Sequence, residues 1–422
     1  MKPRLLVVAN LAMNDSSANG RTLKNLLCGF EAEELAQFYI SGEPDFDCCK
    51  SYYNISDKTA LQSVVNPRCR RKISGEILCS NKKESTGKKE SSASIAKSCM
   101  NKYIRNLIWS TRRWWTSDFD KFLNEFAPTA VLLFAGDTPF MYDIARLIAK
   151  KRNIPLFMYN CENYVLKEVL YAGAKKFSVW HLLLKARLKR AYSHFMKSVK
   201  CCFYNTEYLE KEYQIAYPHV GKSNVVYPAA SMDDCRTEQK TPDTFTLLYC
   251  GNLGVGRPTA LVSLANVLSD VDTKAKLKIF GTFTDEETKV KLTNCPNVEY
   301  GGRISYEQVL EETKNCSMVI HCENPERILN LQSAFSTKIA DYLSCGMPML
   351  IYALRDYPFV QYLEKHQAAH IAESEEELKK VLTNCVDNKE LREQFVLNAL
   401  ALANKNHNLI KNGESVRNTI GS

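Results

Sequence analysis

Ser336, Thr337 and Lys338 stand where the start of a helix could bind a phosphate group. Either hydroxyl residue is a suitable N-cap, and apolar residues at helical spacing follow over 339–343. The first-turn amides of a helix lack intrahelical partners and the helix dipole adds positive charge, so Lys338 would complete an anion site. The same three residues are also consistent with an ordinary helix cap beside a solvated lysine.

The elements around this triplet predict a βαβ unit. Met318–His321 and Met349–Tyr352 are short apolar runs, and Gly346 and Pro348 mark the end of the helix between them. The helix start therefore lies beyond the carboxyl end of a parallel strand, which is where open α/β sheets bind ligands. This position favours the phosphate interpretation.

A glycine-rich turn precedes another predicted helix in the same half of the chain. The strand Thr246–Tyr249 leads into a loop that holds Gly254, Gly256 and Arg257. The loop lacks the spacing of a dinucleotide fingerprint, and the next strand, Leu277–Phe280, ends without the acidic residue that such a site needs. We expect the glycines to admit a ligand closely and Arg257 to pair with its phosphate.

Two acidic residues follow successive strands in the first half of the chain. Asp137 comes after the buried run Ala130–Ala135, and Glu162 comes after Ile154–Tyr159. Because neighbouring parallel strands end at one edge of a sheet, both carboxylates should face the same crevice. They could hold a hydroxyl group of an acceptor, or they could cap their own loops.

The first strand, Leu5–Ala9, also leads into a polar loop, which spans residues 10–20. We expect Asn14, Asn19, Gly20 and Arg21 to be the residues on this side that could contact a ligand. A plain connection from strand to helix is an equally good interpretation.

Length and charge predict two domains with different tasks. A chain of 422 residues suits two α/β domains, and we place them at 1–237 and 238–422, with the last helix able to pack back on the first domain. Residues 1–240 hold 37 Lys and Arg against 24 Asp and Glu, or +13, whereas residues 241–422 hold 19 against 23, or −4. A basic half suits nucleic acid, an anionic membrane surface or a phosphorylated substrate.

Two basic aromatic stretches make a membrane surface one candidate partner. Ile104–Trp115 lies in a basic insertion expected over about 60–125, and Lys175–Lys200 predicts a long basic amphipathic helix. For the first stretch, a helix that faces the core is an equal alternative. No run is apolar enough to span a membrane or to form a signal peptide, so we expect a cytoplasmic protein whose 16 cysteines are free thiols.

The order of motifs in the second half resembles the donor-binding domain of GT-B glycosyltransferases. The motifs are GNLGxGR, IFGT, GGRI, His-Cys-Glu at a strand end, and STKxxDYLxCGxP. The chain is most similar to the retaining enzymes of family 4 and to their bacterial polysaccharide-building relatives. The resemblance is weaker in the first half, where NDSSANGRT and the segments GDTPF and YNCENY carry it. It implies two Rossmann-like domains that face a central cleft.

The resemblance also assigns roles to individual residues. It implies that Arg257 and Lys338, with Ser336 and Thr337 at the helix start, hold the donor diphosphate. The positions expected to cradle the base are Gly281, Thr282, Gly302 and Arg303. The paired glutamates of the family are altered. Asp341 stands at the ribose-binding position and Ser333 at the other, so Glu323 is the candidate substitute for the sugar contact.

The activity implied is transfer of a hexose from a nucleotide-diphosphate sugar to a surface or capsular saccharide, with retention. The acceptor could be lipid-linked. No metal-binding motif is visible, so Arg257 and Lys338 are expected to act in place of a divalent ion, with no cofactor beyond the donor substrate. A nucleotide-sugar epimerase could share this architecture. A non-catalytic nucleic-acid-binding protein could use the basic half, but no recognition module for nucleic acid is visible.

Overall fold

The computed structural model describes residues 2–15, 17–65, 76–79, 99–170, 176–218, 221–232, 242–254, 256–324 and 335–422. These residues form two compact units. Unit 1 comprises Met1–Pro228 and Ile410–Ser422, and unit 2 comprises Ala229–Leu409. The boundary predicted between residues 237 and 238 lies outside the described residues.

Unit 1 is built on a sheet of eight strands in the order β4-β3-β2-β1-β5-β6-β7-β8. All neighbours pair in parallel except β3 and β4, which are antiparallel. The strands are β1 Leu5–Val8, β2 Leu35–Tyr39, β3 Ser51–Asn54, β4 Glu76–Cys79, β5 Ala130–Phe134, β6 Leu156–Asn160, β7 Val199–Tyr204 and β8 Lys222–Val225. The central strands β1, β2, β5 and β6 are buried along their whole length, as apolar runs between two helical layers should be.

Helices cover both faces of this sheet. They are α1 Ala18–Leu26, α2 Asp57–Val65, α3 Cys99–Ser110, α4 Ser117–Phe126, α5 Pro139–Arg152, α6 Val179–Met196 and α7 Glu207–Ala216. Their bounds follow from local signals. For example, α5 starts with Pro139 at its first position, and Asn153, whose φ of 52° is left-handed, is the cap that follows its last residue. The predicted loop 10–20 is therefore shorter than expected, because Ser17 caps α1 through the amide of Gly20.

The tryptophans of the stretch Ile104–Trp115 point into the core. Trp109 is 1% exposed and Trp114 is fully buried, and Trp109 stacks on Phe140 at the start of α5. For Trp109 and Trp114, the interpretation in which the stretch faces the core is therefore the correct one. Within the insertion predicted over about 60–125, residues 99–126 contain α3 and α4, which pack into the core of unit 1, and residues 66–75 and 80–98 lie outside the described part.

Unit 2 is built on a parallel sheet of six strands in the order β11-β10-β9-β12-β13-β14. The strands are β9 Thr246–Cys250, β10 Lys276–Phe280, β11 Val298–Tyr300, β12 Met318–Cys322, β13 Met349–Tyr352 and β14 His370–Ala372. The helices are α8 Arg257–Val271, α9 Glu286–Thr293, α10 Tyr306–Lys314, α11 Thr337–Ser344, α12 Pro358–Lys365, α13 Glu375–Asp387, α14 Lys389–Glu393 and α15 Val396–Asn406. The predicted βαβ unit is thus β12-α11-β13.

The last helix, α16 Leu409–Gly421, belongs to unit 1 except for its first residue. Its Val416 and Ile420 are buried in the core on one face of the sheet, to which β1 also contributes side chains. Arg417 donates from both terminal nitrogens to the carboxylate of Glu34, at 2.6 and 2.8 Å. The end of the chain therefore completes the core of the unit in which the chain begins.

Candidate functional site

Two strand ends and two helix starts in unit 2 bring three predicted site residues together. Glu323 follows β12, Lys338 is the second residue of α11, and Arg257 is the first residue of α8. The ring of Tyr249 on β9 lies below the Lys338 ammonium, 4.9 Å from Nζ to the ring centroid. The crossover order of the parallel sheet places these segments side by side, since β9 and β12 are neighbours.

Arg257 is held by a two-point ion pair. Its Nε donates to Oε2 of Glu323 at 3.0 Å, and its Nη2 donates to Oε1 at 2.8 Å. The two side chains are only 14% and 6% exposed. Both carboxylate oxygens of Glu323 therefore accept hydrogen bonds from Arg257 and hold the guanidinium in place. The sugar contact expected of Glu323 stays a prediction.

A buried histidine lies against the same carboxylate. Nε2 of His321 is 3.1 Å from Oε1 of Glu323, and burial lowers the pKa of His321. Burial alone would raise the pKa of Glu323, but His321 and the Arg257 guanidinium hold the pKa of Glu323 at about 2. Glu323 is thus an anion at every ordinary pH, which keeps Arg257 fixed and charged.

Lys338 is the unsatisfied cation of this group. Its ammonium nitrogen is buried and has no hydrogen-bond partner among the residues that the structure describes, although part of its side chain is accessible. Burial, followed by repulsion from Arg257, lowers the pKa of Lys338 to about 8. A buried ammonium without a partner costs free energy, so this site favours an incoming anion.

The start of α11 is open in the same way. Ser336 is the N-cap residue, but its side chain makes no capping hydrogen bond, so among the described residues no side chain caps the first-turn amides near Thr337. Asp341, one turn later, accepts a hydrogen bond from the Tyr306 hydroxyl at 3.2 Å. Ser333, the altered glutamate position, lies outside the described residues.

The glycine loops meet at the carboxyl ends of β9, β10 and β11. The amide of Gly281 donates to the carbonyl of Gly302 at 2.8 Å, and the amide of Leu253 donates to that of Thr282 at 3.3 Å. Gly256 caps α8 with a φ of 75°, a conformation that favours glycine. These contacts bring the base-cradling positions Gly281, Thr282 and Gly302 beside Gly254, while the side chain of Arg303 is exposed.

Asp137 lines a small cavity in unit 1. The cavity measures about 100 Å³, and Asn10, Asn19 and Tyr164 line it with Asp137. Oδ2 of Asp137 accepts a hydrogen bond from Lys102 Nζ on α3 at 2.6 Å, and the two side chains are partly exposed. Asp137 is thus a paired carboxylate at an accessible polar cavity, a geometry that can orient a ligand hydroxyl.

Glu162 occupies the neighbouring strand end. It forms an ion pair with Lys167, and both side chains are partly buried. Burial raises the pKa of the Tyr164 phenol, and the negative charges of Glu162 and Asp137 raise it further. The two acidic residues therefore lie near Tyr164, at the edge of the sheet where their strands end.

The other residues predicted to contact a ligand in unit 1 divide into two groups. Asn19 lines the cavity with Asp137. Asn14 is instead buried and already hydrogen-bonded, since it donates to the carbonyl of Glu43 and accepts from the amide of Ser17. Gly20 packs on Asn14 at close range, and a Cβ there would collide with the Asn14 side chain. Arg21 follows in the first turn of α1 and is partly exposed. We therefore assign Asn14 and Gly20 to the scaffold of this loop.

Sequence reasoning missed several residues at the two sites. Lys102 is 35 positions from Asp137 and lies in the segment that was expected to be an insertion, so no local signal marks it. Asn10 and Tyr164 follow strands, and that position was a usable signal. Among the described residues, no group of three or more His, Cys, Asp or Glu side chains could hold a metal ion. No helix in the described part of the chain is long and apolar enough to cross a membrane.

Comparisons with known proteins agree with the fold of the chain. Residues 260–416 match the family model described as glycosyl transferase-like. The fold of the whole chain is similar to that of HepE from Anabaena, solved with UDP and glucose, with 10% identity, a TM-score of 0.64 and full coverage of both chains. It is also similar to WaaG, a glycosyltransferase involved in lipopolysaccharide biosynthesis, with 14% identity, a TM-score of 0.58 and 99% of each chain covered.

Sucrose-phosphate synthase from Thermosynechococcus elongatus gives a third similarity, at 10% identity and a TM-score of 0.62 over 99% of this chain and 97% of that one. No curated protein matches the chain in sequence. The fold class expected from the motifs is confirmed by these structures. The chain has the GT-B fold, and its residues 260–416 match the glycosyl transferase-like family.

Proposed function

We propose that this protein is a glycosyltransferase that moves a hexose from a nucleotide-diphosphate sugar to a saccharide acceptor, with retention of configuration. The observation that carries the proposal is the buried Lys338 ammonium, which no described residue satisfies and which lies beside Arg257 at an open helix start. A diphosphate would supply the missing anion. The family match over residues 260–416 and the UDP bound to HepE support a nucleotide-sugar donor.

The chemistry follows from these charges. When the bond between sugar and phosphate breaks, negative charge grows on the departing nucleoside diphosphate. Arg257, Lys338 and the amides at Ser336 and Thr337 are fixed before the reaction, so they stabilise that charge without reorganising. In a retaining transfer, the departing phosphate oxygen takes the acceptor proton on the same face, and no strong enzymic base is needed.

We assign the acceptor to unit 1. Asp137 would orient the acceptor hydroxyl at the cavity that it shares with Asn19, with Glu162 as the second choice. Positioning of this kind matters, because a displacement of about 1 Å can cost about a hundredfold in rate. A surface or capsular saccharide is the proposed acceptor class, and the basic residues 1–240 suit one that carries a phosphate or a lipid phosphate.

The proposal includes association with an anionic membrane. The helix α6 and the residues before it expose apolar side chains among cations, with Phe177 at 82%, Leu182 at 51% and Leu183 at 42%. Lys185, Lys189 and Arg190 lie on the same helix. Apolar side chains beside basic ones match the interface of an anionic bilayer. The neighbouring α3 adds the exposed Ile104 and Leu107 to this surface.

A donor screen followed by a transfer assay tests the proposal. Thermal unfolding is measured with UDP, GDP, ADP and CDP, because a ligand that binds only the folded state stabilises it by about 2.7 kcal/mol at a hundred times its dissociation constant. The sugar nucleotide of the best base is then incubated with saccharide acceptors, and the anomeric configuration of the product is read by NMR. Lys338→Met should abolish stabilisation.

Three outcomes would contradict it. No stabilisation by any nucleotide would remove the donor site. An inverted product would contradict retention. Formation of an isomeric sugar nucleotide without an acceptor would identify an epimerase instead.

A further inference from the structure

A basic cavity lies in unit 1, and its wall is separate from the Asp137 cavity of the same unit. It measures about 320 Å³ and is enclosed by the end of α3, the turn after it, α5 and α6. Arg112, Arg187, Arg190 and His194 line it. None of the residues that the sequence assigned to a site lies in its wall. The proposed transfer reaction therefore assigns no role to this cavity.

The charges in this cavity do not cancel. Among the described residues that line it, Asp143 is the only acidic one, and it is paired with Arg187. Arg112 and Arg190 form no ion pair or side-chain hydrogen bond with any residue that the structure describes. Two permanent positive charges are thus left over, and guanidinium groups donate in a fork that fits phosphate oxygens.

The floor of the cavity is aromatic and rigid. The rings of Trp109 and Phe140 stack in parallel, with their centroids 4.7 Å apart and 1° between their planes. Trp109 donates its indole N–H to Asp57 at 2.8 Å, and Trp114 donates its own to the Trp109 carbonyl at 3.0 Å. Because both indole N–H groups are satisfied elsewhere, these rings present no unsatisfied polar atom to the cavity.

We propose that this cavity binds a phosphate ester, with Arg112, Arg187 and Arg190 around the phosphate and the organic part against the aromatic floor. The volume of about 320 Å³ favours an ester over the bare ion, because it reaches the range of small-molecule sites, about 300–1,000 Å³. The site itself does not depend on the transferase activity.

The surroundings favour a lipid as the source of the phosphate. On α6, Leu183, Arg187, Arg190 and His194 follow at spacings of four, three and four, so the exposed leucine continues the row that lines the cavity. Leu107, near the end of α3, is 50% exposed. A lipid phosphate would place its charge in the cavity and its apolar chain along these leucines. This source rests on the proposed membrane association, whereas a water-soluble phosphate ester would need the cavity alone.

Two matched variants of the full chain test the site. Arg190→Gln removes a charge from the cavity, and Lys189→Gln removes one from the next position of the same helix, outside the cavity. Both residues are exposed and the side chain of Arg190 has no described partner, so neither change should unfold the protein. Binding is measured to phosphatidylcholine vesicles that contain either phosphatidylglycerol or, at equal surface charge, oleic acid.

With phosphatidylglycerol we expect Arg190→Gln to weaken binding more than tenfold and Lys189→Gln at most about fivefold, the effect of one surface charge. With oleic acid, which has no phosphate, the two variants should weaken binding equally. The test for a water-soluble ester measures thermal unfolding with glycerol 3-phosphate. The site would be assigned to a soluble ester if glycerol 3-phosphate stabilises the protein, Arg190→Gln removes that stabilisation, and the two variants bind both kinds of vesicle equally.

Equal effects of the two variants on both vesicles, without stabilisation by glycerol 3-phosphate, would overturn the proposal. Stabilisation by nucleotide is measured in the same variants and should be unchanged in both. A failure of the phosphate site is therefore distinguishable from a failure of the proposed transferase function.

Discussion

Arg257 and Glu323 form a buried two-point ion pair, with N···O distances of 3.0 and 2.8 Å, at the end of one strand and the start of one helix. This ion pair gives the two cations of the proposed donor site different electrostatic surroundings. Arg257 is neutralised and fixed before any ligand arrives, whereas Lys338 is buried without a partner. Substitutions at the two positions should therefore have different effects on stability.

Lys338→Met should abolish donor binding without loss of stability. The change removes a buried charge that has no partner and keeps an unbranched apolar chain, so we expect the unfolding temperature to stay the same or to rise. Thermal unfolding with and without UDP measures both effects. Lys274→Met, at an exposed lysine of unit 2, is the matched control and should bind UDP normally. Normal binding by Lys338→Met would contradict the assignment.

Arg257→Ala should lower both transfer and stability. Loss of a cation that stabilises the departing phosphate should raise the barrier by about 2–4 kcal/mol. The change also leaves Glu323 buried without its arginine, with only His321 against it, which should cost up to about 3–5 kcal/mol of unfolding free energy. Urea unfolding of Arg257→Ala, Glu323→Gln and the double variant measures the coupling. Additive single effects would show that the ion pair does not hold the site.

Donor affinity should fall as the pH rises above about 8, the lowered pKa of Lys338. The diphosphate favours the protonated ammonium, so binding is full below this pKa and weakens by at most about tenfold per pH unit above it. The unfolded chain binds this proton up to the ordinary value of 10.5, so the contribution of Lys338 to stability increases with pH between the two values. Calorimetric titration of UDP at several pH values tests this. A profile that Lys338→Met leaves unchanged would assign the dependence to another group.

Asp137→Asn should reduce transfer while leaving donor binding intact, because Asp137 would orient the acceptor in unit 1. Lys102→Met should produce part of the same defect, since Lys102 holds the Asp137 carboxylate at 2.6 Å. Transfer rate and donor affinity are measured in both variants and in Glu162→Gln. Glu125→Gln, at an exposed ion-paired carboxylate of the same unit, is the control. A loss of donor affinity would show that Asp137 acts in donor binding. Unchanged transfer would show that Asp137 only caps its own loop.

The double variant Leu182→Ser with Leu183→Ser should weaken binding to anionic vesicles by tenfold or more, because a buried leucine contributes about 1.5–3 kcal/mol. Ile215→Ser is the matched control, since Ile215 is 84% exposed on α7 and lies outside the proposed surface. Binding of the unchanged protein should also fall as salt rises, because ions screen surface charges. Equal binding by all three proteins would argue for a soluble acceptor.

Local patterns predicted the elements of the donor site because each signal there is short in range. The triplet Ser336-Thr337-Lys338 marks a helix start after a parallel strand, and the glycines before Arg257 mark a tight turn into another helix. Apolar runs such as β9 and β12 identify buried parallel strands, and their alternation with helices identifies the fold class. These inferences need only the residues within each segment.

The tertiary structure alone decided which residues far apart in the sequence pair with each other. The sequence by itself determined a two-domain α/β chain, the GT-B motif order and the candidate cations Arg257 and Lys338. It did not determine that Glu323 pairs with Arg257 from 66 positions away, or that Lys102 pairs with Asp137 from 35. It did not determine whether Trp109 faces a membrane or the core, because an amphipathic helix has the same hydrophobic period whichever apolar medium it faces. Packing settled that question, since Trp109 stacks on Phe140 inside unit 1, and only the assembled core contains that surface.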